Sequence, residues 1–336
     1  MRVAVIGCGA VGARAARQLV STARVDTVVL RDTRVDWLRS VGESLGPSVH
    51  IEVPPYRHAP DVDAVIIATP SGTHPALARS ALERGTAVVS VSDSIEDVRL
   101  LLTLDDEARR RDRPVVVGAG FSPGLTCVLA RHGARAFDTV DEVHVAKAGT
   151  GGPACARQHH HALAGSALDW RDGVWIRRRG GSGRELIWFP EPVGGRDCYR
   201  ASLADPLLLV PEFPSATRVT ARMAATRRDR LTMRLPMLMP PHAEGGPGAA
   251  RVELRGWRGT SREVAVYGVM DRAAVAAGAV AALATVWALD GRVRSGARGL
   301  ASMVEPGAFL ADLADRGTRV AVFDGTPRVP PLPEPH

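Results

Sequence analysis

Residues 3–12, VAVIGCGAVG, decide the fold of the N-terminal part of the chain. The apolar run VAVI predicts a short buried strand, and three glycines follow it directly in the pattern GxGxxG. In this setting Gly7 makes the tight turn, Gly9 lets a pyrophosphate approach the backbone, and Gly12 lets helix and strand pack closely. We expect the next helix to begin at Ala10 and Val11, with its positive end towards the phosphates. The stretch therefore predicts a dinucleotide-binding turn.

An acidic residue at the expected distance strengthens this prediction. Asp32 follows Gly12 by 20 residues and stands at the end of the apolar run TVVL, where a carboxylate can bond the adenosine ribose. Its neighbours Arg31, Thr33 and Arg34 could instead hold the additional phosphate of NADP. The sequence thus predicts NAD or NADP and leaves the choice open.

Working outward, the chain divides by its pattern of elements. Up to residue 122 short β-branched runs alternate with amphipathic segments, which predicts an α/β fold with a doubly wound parallel sheet of the Rossmann type. Residues 123–270 read mainly as strands and predict a second α+β domain with a mainly antiparallel sheet. Residues 271–326 are expected to form helices that pack back on the Rossmann domain, and the proline-rich residues 327–336 a disordered tail.

Several local elements are predicted within this plan. One helix should run from Ser94 to Arg111 and another from Pro123 to about Phe137, with Ser122 as its cap. The segment LTMRL, residues 231–235, reads as a strand, and GGSG, residues 180–183, as a hairpin turn.

Composition bounds the function classes. The net charge is +7, but the basic runs are short and scattered and no aromatic platform accompanies them, so we expect no nucleic-acid partner. The longest apolar stretch, residues 273–289, is 17 residues and mostly alanine, which favours a buried helix over a membrane span. The four cysteines lack CxxC spacing, and the chain opens directly on a strand. Both features favour a reducing cytoplasm and no structural metal.

Two loops follow predicted strands where open α/β sheets bind ligands, ATPSGTHP at residues 68–75 and GAGFSPGL at residues 118–125. We place the nicotinamide near both. The cofactor contacts expected from these loops and from the strand between them are Thr69, Pro70, Ser71, His74, Ser92, Gly120 and Phe121. Ser122 and Pro123 are expected to face the substrate.

These motifs carry a resemblance. GCGAVG, ATPSGTH, GAGFSPGL, FPEPVGGRDCY (189–199) and EPGAFLADLADRG (305–317) together resemble the saccharopine dehydrogenase (reductase) family. The resemblance implies a Rossmann domain, a second domain with substrate and dimer contacts, and hydride transfer to or from a carbon bonded to nitrogen in amino-acid-like substrates. ATPSGTH is shared with the glucose-fructose oxidoreductase/inositol dehydrogenase family, which has a catalytic lysine in an EKP motif. The corresponding place here reads SVSDS, residues 90–94.

Lys147 is the only lysine in a chain with 43 lysines and arginines. An ammonium can lose its proton when buried, whereas a guanidinium cannot. Lys147 ends a predicted strand, and GTGG follows at residues 149–152, where backbone N–H groups of Gly149 and Gly151 could bind a substrate carboxylate together with Arg157. We therefore expect Lys147 to line the active site as proton donor or carboxylate partner.

Three consecutive histidines follow twelve residues later. On a helix successive side chains point about 100° apart, so at most one or two of His159, His160 and His161 can face one site. His159 and His160 are the preferred acid/base candidates. A zinc site is not expected, because adjacent histidines splay apart and no ligand stands four residues further on.

Three functions remain open. The first is an NAD(P)-dependent oxidoreductase acting on an amino or imino acid, cytoplasmic and homodimeric. The second is a sugar or polyol dehydrogenase, weakened by the missing EKP motif. The third is a dinucleotide-binding protein without catalysis, which fold alone never excludes.

Overall fold

The computed structural model describes residues 1–56, 58–237, 241–318 and 320–323. The tail predicted to be disordered, residues 327–336, lies outside the described residues.

Sixteen strands form in the described residues. They are β1 (Arg2–Ile6), β2 (Thr27–Arg31), β3 (Val49–Glu52), β4 (Ala64–Ile67), β5 (Ala87–Ser90), β6 (Pro114–Val117), β7 (Thr139–Ala148), β8 (Ser166–Arg171), β9 (Val174–Arg179), β10 (Glu185–Trp188), β11 (Gly195–Arg200), β12 (Arg218–Ala224), β13 (Pro247–Arg258), β14 (Ser261–Arg272), β15 (Gly296–Gly299) and β16 (Val320–Phe323).

Twelve α-helices accompany them in the same part of the chain. They are α1 (Ala10–Val20), α2 (Val35–Leu45), α3 (His74–Glu83), α4 (Ile95–Leu102), α5 (Asp105–Arg110), α6 (Leu125–Gly133), α7 (Pro153–Ala164), α8 (Asp205–Leu209), α9 (Arg227–Thr232), α10 (Ala273–Leu289), α11 (Leu300–Met303) and α12 (Pro306–Asp315).

The strands form two sheets. The first has seven parallel strands in the order β15-β6-β5-β4-β1-β2-β3. The second has nine strands with the path β10-β11-β12-β7-β13-β14-β16, while β8 pairs with β12 and β9. Only its central pair, β7 with β12, is parallel among the described pairings. The predicted fold class, a Rossmann sheet plus a second domain with a mainly antiparallel sheet, is confirmed.

The segment after residue 270 joins both sheets. Helix α10 is buried along nearly its whole length and packs on α1 and on strands β4 and β5. Small alanine side chains allow this close approach to α1, where a Cβ at Gly278 would lie 2.8 Å from the backbone nitrogen of Ala15. Strand β15 extends the first sheet and β16 the second. Within the described residues, no helix is long and apolar enough to cross a membrane.

Four local predictions are wrong. The helix expected from Ser94 to Arg111 divides into α4 and α5, because three acidic residues favour a new helix start at Asp105, whose carboxylate also accepts from the Ala297 N–H. LTMRL at residues 231–235 is not a strand, since helix α9 ends within it; a capping box between Thr226 and Asp229 starts that helix. GGSG joins β9 to β10, which pair with different strands, so it is no hairpin turn.

The fourth error concerns Ser122. Helix α6 begins at Leu125 rather than Pro123, and Gly124 precedes it with a φ of +128°. The Ser122 hydroxyl does not cap this helix, because it donates instead to the buried carboxylate of Asp205, at 2.9 Å. That contact joins the loop at residues 118–125 to α8.

Candidate active site

The glycine loop after β1 has the shape that a dinucleotide requires. Gly7 has a φ of +91°, and a Cβ there would lie 2.5 Å from the carbonyl oxygen of Ala68. A Cβ at Gly12 would lie 1.8 Å from the Gly7 oxygen. At Gly9, by contrast, a Cβ would meet nothing within 4 Å. Gly7 and Gly12 are therefore fixed by protein packing, whereas Gly9 opens onto free space at the start of α1, which fits a pyrophosphate group.

Asp32 lies beside this loop with its carboxylate held in place. Its Oδ2 accepts the Cys8 N–H at 2.8 Å and its Oδ1 accepts the Arg34 N–H at 2.9 Å. Burial alone would raise the pKa of Asp32, but the hydrogen bonds from Arg34 and Cys8 lower it. The carboxylate is thus ionised and directed to the edge where a ribose would lie.

The two predicted phosphate-binding arginines are already engaged. Arg31 is buried, donating from Nε to Glu52 at 2.6 Å and from Nη1 to the His58 carbonyl at 2.8 Å. Arg34 is exposed and pairs with Asp32 at 3.2 Å. Arg31 is therefore occupied by Glu52 and the His58 carbonyl, and Arg34 is the more accessible of the two arginines.

Two buried side chains, His74 and Asp97, hold the loop at residues 69–74 in place. His74 is buried, donates from Nε2 to the Thr69 carbonyl and accepts from the Ser90 hydroxyl, both at 2.9 Å, and burial lowers its pKa. Asp97 is also buried and accepts the Gly72 N–H at 3.0 Å and the Ser92 hydroxyl at 2.8 Å. His74 and Ser92 therefore shape the cofactor loops from behind, while Thr69, Pro70 and Ser71 lie at the surface.

The loop at residues 118–125 lies deeper. Gly120, Phe121, Ser122 and Pro123 are all buried. Asp205 accepts from Ser122 and, at 2.6 Å, from the Thr126 hydroxyl, and burial raises its pKa. The Ser122 side chain thus faces Asp205, whereas the Ser122 backbone carbonyl lies 3.3 Å from Lys147 Nζ.

The GTGG loop packs on the glycine loop. A Cβ at Gly152 would lie 2.6 Å from the Cβ of Ala10, and one at Gly151 would lie 3.3 Å from Val11. Gly149 is exposed with a φ of +84°. The backbone of Gly151 is therefore used to contact α1, and of the two predicted substrate-binding glycines only Gly149 faces solvent.

A buried cluster forms around Lys147. Its Nζ lies 2.8 Å from His159 Nε2 and donates to Asp93 Oδ2 and to the Ser122 carbonyl, both at 3.3 Å. His159 Nε2 also lies 2.9 Å from Asp93 Oδ2 and 3.4 Å from the sulfur of Cys155. Lys147 is only 2% exposed. We call Asp93, Lys147, Cys155 and His159 the Lys147 cluster.

Three elements assemble the Lys147 cluster. Asp93 lies three residues beyond β5, Lys147 is the penultimate residue of β7, and Cys155 and His159 lie one turn apart on α7. Gln158 on the same helix donates to Asp93 Oδ1. The cluster therefore spans the carboxyl edge of the first sheet and the second sheet, which is where open α/β folds bind substrates.

The charges in the cluster depend on one another. Burial alone would raise the pKa of Asp93, but the Lys147 ammonium and His159 hold it well below its usual range. Burial alone would lower the pKa of His159, but Cys155 and Asp93 raise it to about 9. Burial alone would raise the pKa of Cys155, yet His159 lowers it.

His159 Nε2 lies within hydrogen-bond distance of both Lys147 Nζ and Asp93 Oδ2. His159 Nε2 carries either a proton, which it can donate to Asp93, or a lone pair, which can accept from Lys147. The two arrangements differ by the position of one proton. The Lys147 cluster can therefore hold a proton and release it, as general acid–base chemistry requires.

The other candidates on α7 are not part of this cluster. His160 is buried on another side of the helix and donates to the carbonyls of Thr232 and Leu235, at 2.9 and 3.0 Å. His161 and Arg157 are exposed. Of the predicted catalytic residues, the structure brings Lys147 and His159 together and leaves His160 apart, because adjacent helical positions diverge by about 100°.

Sequence reasoning did not identify Asp93, Cys155, Asp97 or Asp205. Cys155 could have been found, because it stands four residues before His159 and such residues share a helix face. Asp93 lies in SVSDS beside Ser92, a predicted cofactor contact, and no motif in that segment marks Asp93 as part of a site. Asp205 gives no local signal, because Ser122 is 83 positions away.

The comparisons with known proteins bear on the first sheet most directly. Residues 1–111 match the model of an oxidoreductase family with an NAD-binding Rossmann fold. The match covers about a third of the chain. It agrees with the predicted Rossmann domain and with a nicotinamide dinucleotide cofactor, for which the family's description names NAD. No curated protein matches the chain in sequence.

Solved structures resemble the whole chain in fold. Saccharopine dehydrogenase (L-Glu forming) from Saccharomyces cerevisiae is 16% identical with a TM-score of 0.71, over 96% of this chain and 99% of that one. C. glutamicum DAP dehydrogenase in complex with DAP is 15% identical with a TM-score of 0.50, over 94% and 98%. A putative myo-inositol dehydrogenase from Sinorhizobium meliloti 1021 is 14% identical with a TM-score of 0.50, over 96% and 99%. At these identities the likeness concerns the fold alone.

Proposed function

We propose that the chain is an NAD-dependent oxidoreductase that transfers a hydride to or from a carbon bonded to nitrogen in an amino-acid-like substrate. The observation that carries this proposal is the Lys147 cluster, a buried proton-holding group at the carboxyl edge of an NAD-binding sheet. Reduction of an imine consumes one hydride and one proton and gives an amine. The bound cofactor would supply the hydride, so the protein has to supply the proton.

The residues of the cluster divide the remaining work. His159 and Lys147 hold the proton that the substrate nitrogen takes up, and Asp93 keeps both in place and balances their charge. The Ser122 carbonyl fixes the position of Lys147 Nζ at 3.3 Å. Lys147 and the exposed Gly149 and Arg157 are our candidates for holding a substrate carboxylate.

A second candidate function is the oxidation of a sugar or polyol. The sequence disfavours this function, because SVSDS at residues 90–94 stands where the related family has its EKP motif. Lys147, however, reaches Asp93 of that same segment from β7, so an ammonium lies near the place where the related family has its lysine. This position of Lys147 supports sugar or polyol oxidation as the second candidate function.

Initial-rate assays with two panels test the proposal. One panel combines NADH with 2-keto acids and amines or amino acids, and the other combines NAD with polyols and sugars. We expect turnover in the first panel that is lost in Lys147→Met. Turnover only in the second panel would establish the alternative. Stoichiometric NAD binding with turnover in neither would indicate a non-catalytic protein.

We further propose that the chain works as a homodimer through its second sheet. Large apolar side chains there are exposed on β9, β10 and β13, namely Trp175, Leu186, Trp188 and Trp257. Light scattering of the purified protein measures the mass directly, and a monomeric mass across the micromolar range would contradict the proposal.

A further inference from the structure

We propose that Asp93, Cys155 and His159 form a binding site for a borderline divalent transition-metal ion of the Zn²⁺ class, and that this ion competes with the Lys147 ammonium for the same acceptors. The donor atoms of the three residues, a carboxylate oxygen, a sulfur and an imidazole nitrogen, all lie within 4.8 Å of one another. The sequence predicts no metal site, because the cysteines lack CxxC spacing and no ligand follows the histidines by four residues, whereas Cys155 precedes His159 by four.

The spacing of the donor atoms fits a tetrahedral ion. With bond lengths of about 2.0–2.3 Å, neighbouring ligand atoms lie about 3.3–3.7 Å apart. The sulfur of Cys155 lies 3.4 Å from His159 Nε2. Nε2 and Asp93 Oδ2 are 2.9 Å apart, as in a hydrogen bond, and would separate by about half an ångström. In addition, Lys147 Nζ, which lies 2.8 Å from Nε2, has to move away.

The donor set selects the kind of ion. Thiolate and imidazole suit Zn²⁺ and Co²⁺, whereas Mg²⁺ and Ca²⁺ take oxygen ligands. Asp93 and an ionised Cys155 together carry two negative charges, which balance a dication. Asp93 is 19% exposed and Cys155 is partly exposed, so an ion can enter from solvent.

Lys147 is the competitor. Its Nζ contacts two of the three ligand residues, at 2.8 Å from His159 Nε2 and 3.3 Å from Asp93 Oδ2. An ammonium and a dication cannot share these acceptors without strong repulsion. Binding of the metal ion therefore displaces the Lys147 ammonium from these acceptors, and it also releases the Cys155 thiol proton.

A consequence for activity rests on the proposed function. If Lys147 and His159 supply the proton, Zn²⁺ inhibits turnover by taking both out of use. The binding itself does not depend on that function, and it can be measured without substrate.

The test is a titration of the chelator-treated full chain with ZnCl₂ and, for a spectroscopic signal, CoCl₂. We expect one ion per chain and a near-ultraviolet thiolate-to-cobalt absorption band. Cys155→Ser should abolish the band and weaken Zn²⁺ binding by more than the roughly 10–100-fold that loss of an outer-shell partner costs. Cys198→Ala, which removes a buried thiol elsewhere, should change neither.

Lys147→Met gives the result specific to competition. It should tighten Zn²⁺ binding by about tenfold or more, the usual size of the effect of a nearby like charge on an ionic equilibrium. Unchanged or weaker binding would overturn the competition, because Lys147 would then be neutral to the ion or one of its ligands.

Three results would overturn the metal site itself. They are the absence of a one-to-one complex, a thiolate band that survives Cys155→Ser, and a band that Cys198→Ala removes. If Cys155→Ser fails to fold by circular dichroism, Asp93→Asn and His159→Asn take its place, each with the same expected weakening of Zn²⁺ binding. Failure of the amine panel would refute the proposed function but leave the titration unaffected.

Discussion

The two ends of the candidate site are built in different ways. The glycine loop is one run of six residues, and its chemistry lies in the backbone: N–H groups, a tight turn and the open space at Gly9. The Lys147 cluster takes side chains from a loop, a strand and a helix, and Asp93 and Lys147 are 54 positions apart. The first end should therefore govern cofactor affinity, whereas the second should govern turnover. Substitutions at each end can break or sharpen this contrast.

Lys147→Arg should have the largest effect. It keeps the positive charge but removes the compact group that can give up a proton, so kcat should fall by about 10² to 10⁴. The dissociation constant for NADH, measured by fluorescence titration, should stay within about twofold of its original value. His161→Ala on the exposed face of α7 serves as the control. A rise in the Michaelis constant with unchanged kcat would indicate a carboxylate partner instead.

Gly9→Val should produce the converse result. The side chain would fill the space above the loop and keep the pyrophosphate from the backbone N–H groups, so NAD affinity should fall by about 100-fold, the upper end of what a hydrogen bond to a charged group contributes. The fold should persist, because nothing lies within 4 Å of that Cβ. Gly12→Val is the matched comparison: its side chain would collide with Gly7, so the melting temperature should fall as well. Unchanged cofactor affinity in Gly9→Val would refute the placement of the pyrophosphate.

Asp32→Asn should separate the two cofactors. Loss of a charged hydrogen-bond acceptor for the ribose should weaken NAD binding by about tenfold or more. NADP binding should weaken less or improve, because the substitution removes a negative charge near its additional phosphate. Isothermal titration with both cofactors measures the difference. Equal losses would show that Arg34, not Asp32, sets the preference.

The smallest effect should be on the pH dependence of kcat/KM, because His159→Asn should change only the alkaline limb of that curve. His159 has its pKa raised to about 9, so its proton is present below that pH and lost above it. In the reductive direction kcat/KM should therefore fall as the pH rises through about 9. In His159→Asn this limb should disappear or move. An identical alkaline limb in the variant would assign the titration to another group.

The sequence predicted the first end of the site well for a physical reason. A strand, a glycine turn and a helix are contiguous, and each residue type there is required by backbone geometry that neighbours alone determine. The same locality explains why the alternation of strands and helices up to β6 predicted a parallel α/β sheet. It did not extend to the break between α4 and α5, which depends on the contact from Asp105 to the Ala297 N–H, 192 positions away.

At the second end, the sequence predicted candidates but not their arrangement. Lys147 was singled out by its rarity. The choice between His159 and His160 depends on the rotation of α7, which Gly152 and Pro153 fix at its start, and no local pattern shows which side meets Asp93. Side chains that meet only through tertiary structure leave no periodic signal, so Asp93 and Asp205 could not be predicted.

The contact between Gly152 and Ala10 restricts how this protein can change. Ala10 belongs to the GCGAVG motif at residues 7–12, and Gly152 packs against it. A Cβ added at residue 152 would lie 2.6 Å from the Ala10 Cβ, so a side chain larger than alanine at residue 10 would collide with this loop. Helix α7 starts at that contact and carries Cys155 and His159. A Rossmann domain transplanted from another dehydrogenase with a larger residue at position 10 would push this helix outward. The GCGAVG motif and helix α7 therefore constrain each other, and a chimaera has to keep both or redesign both.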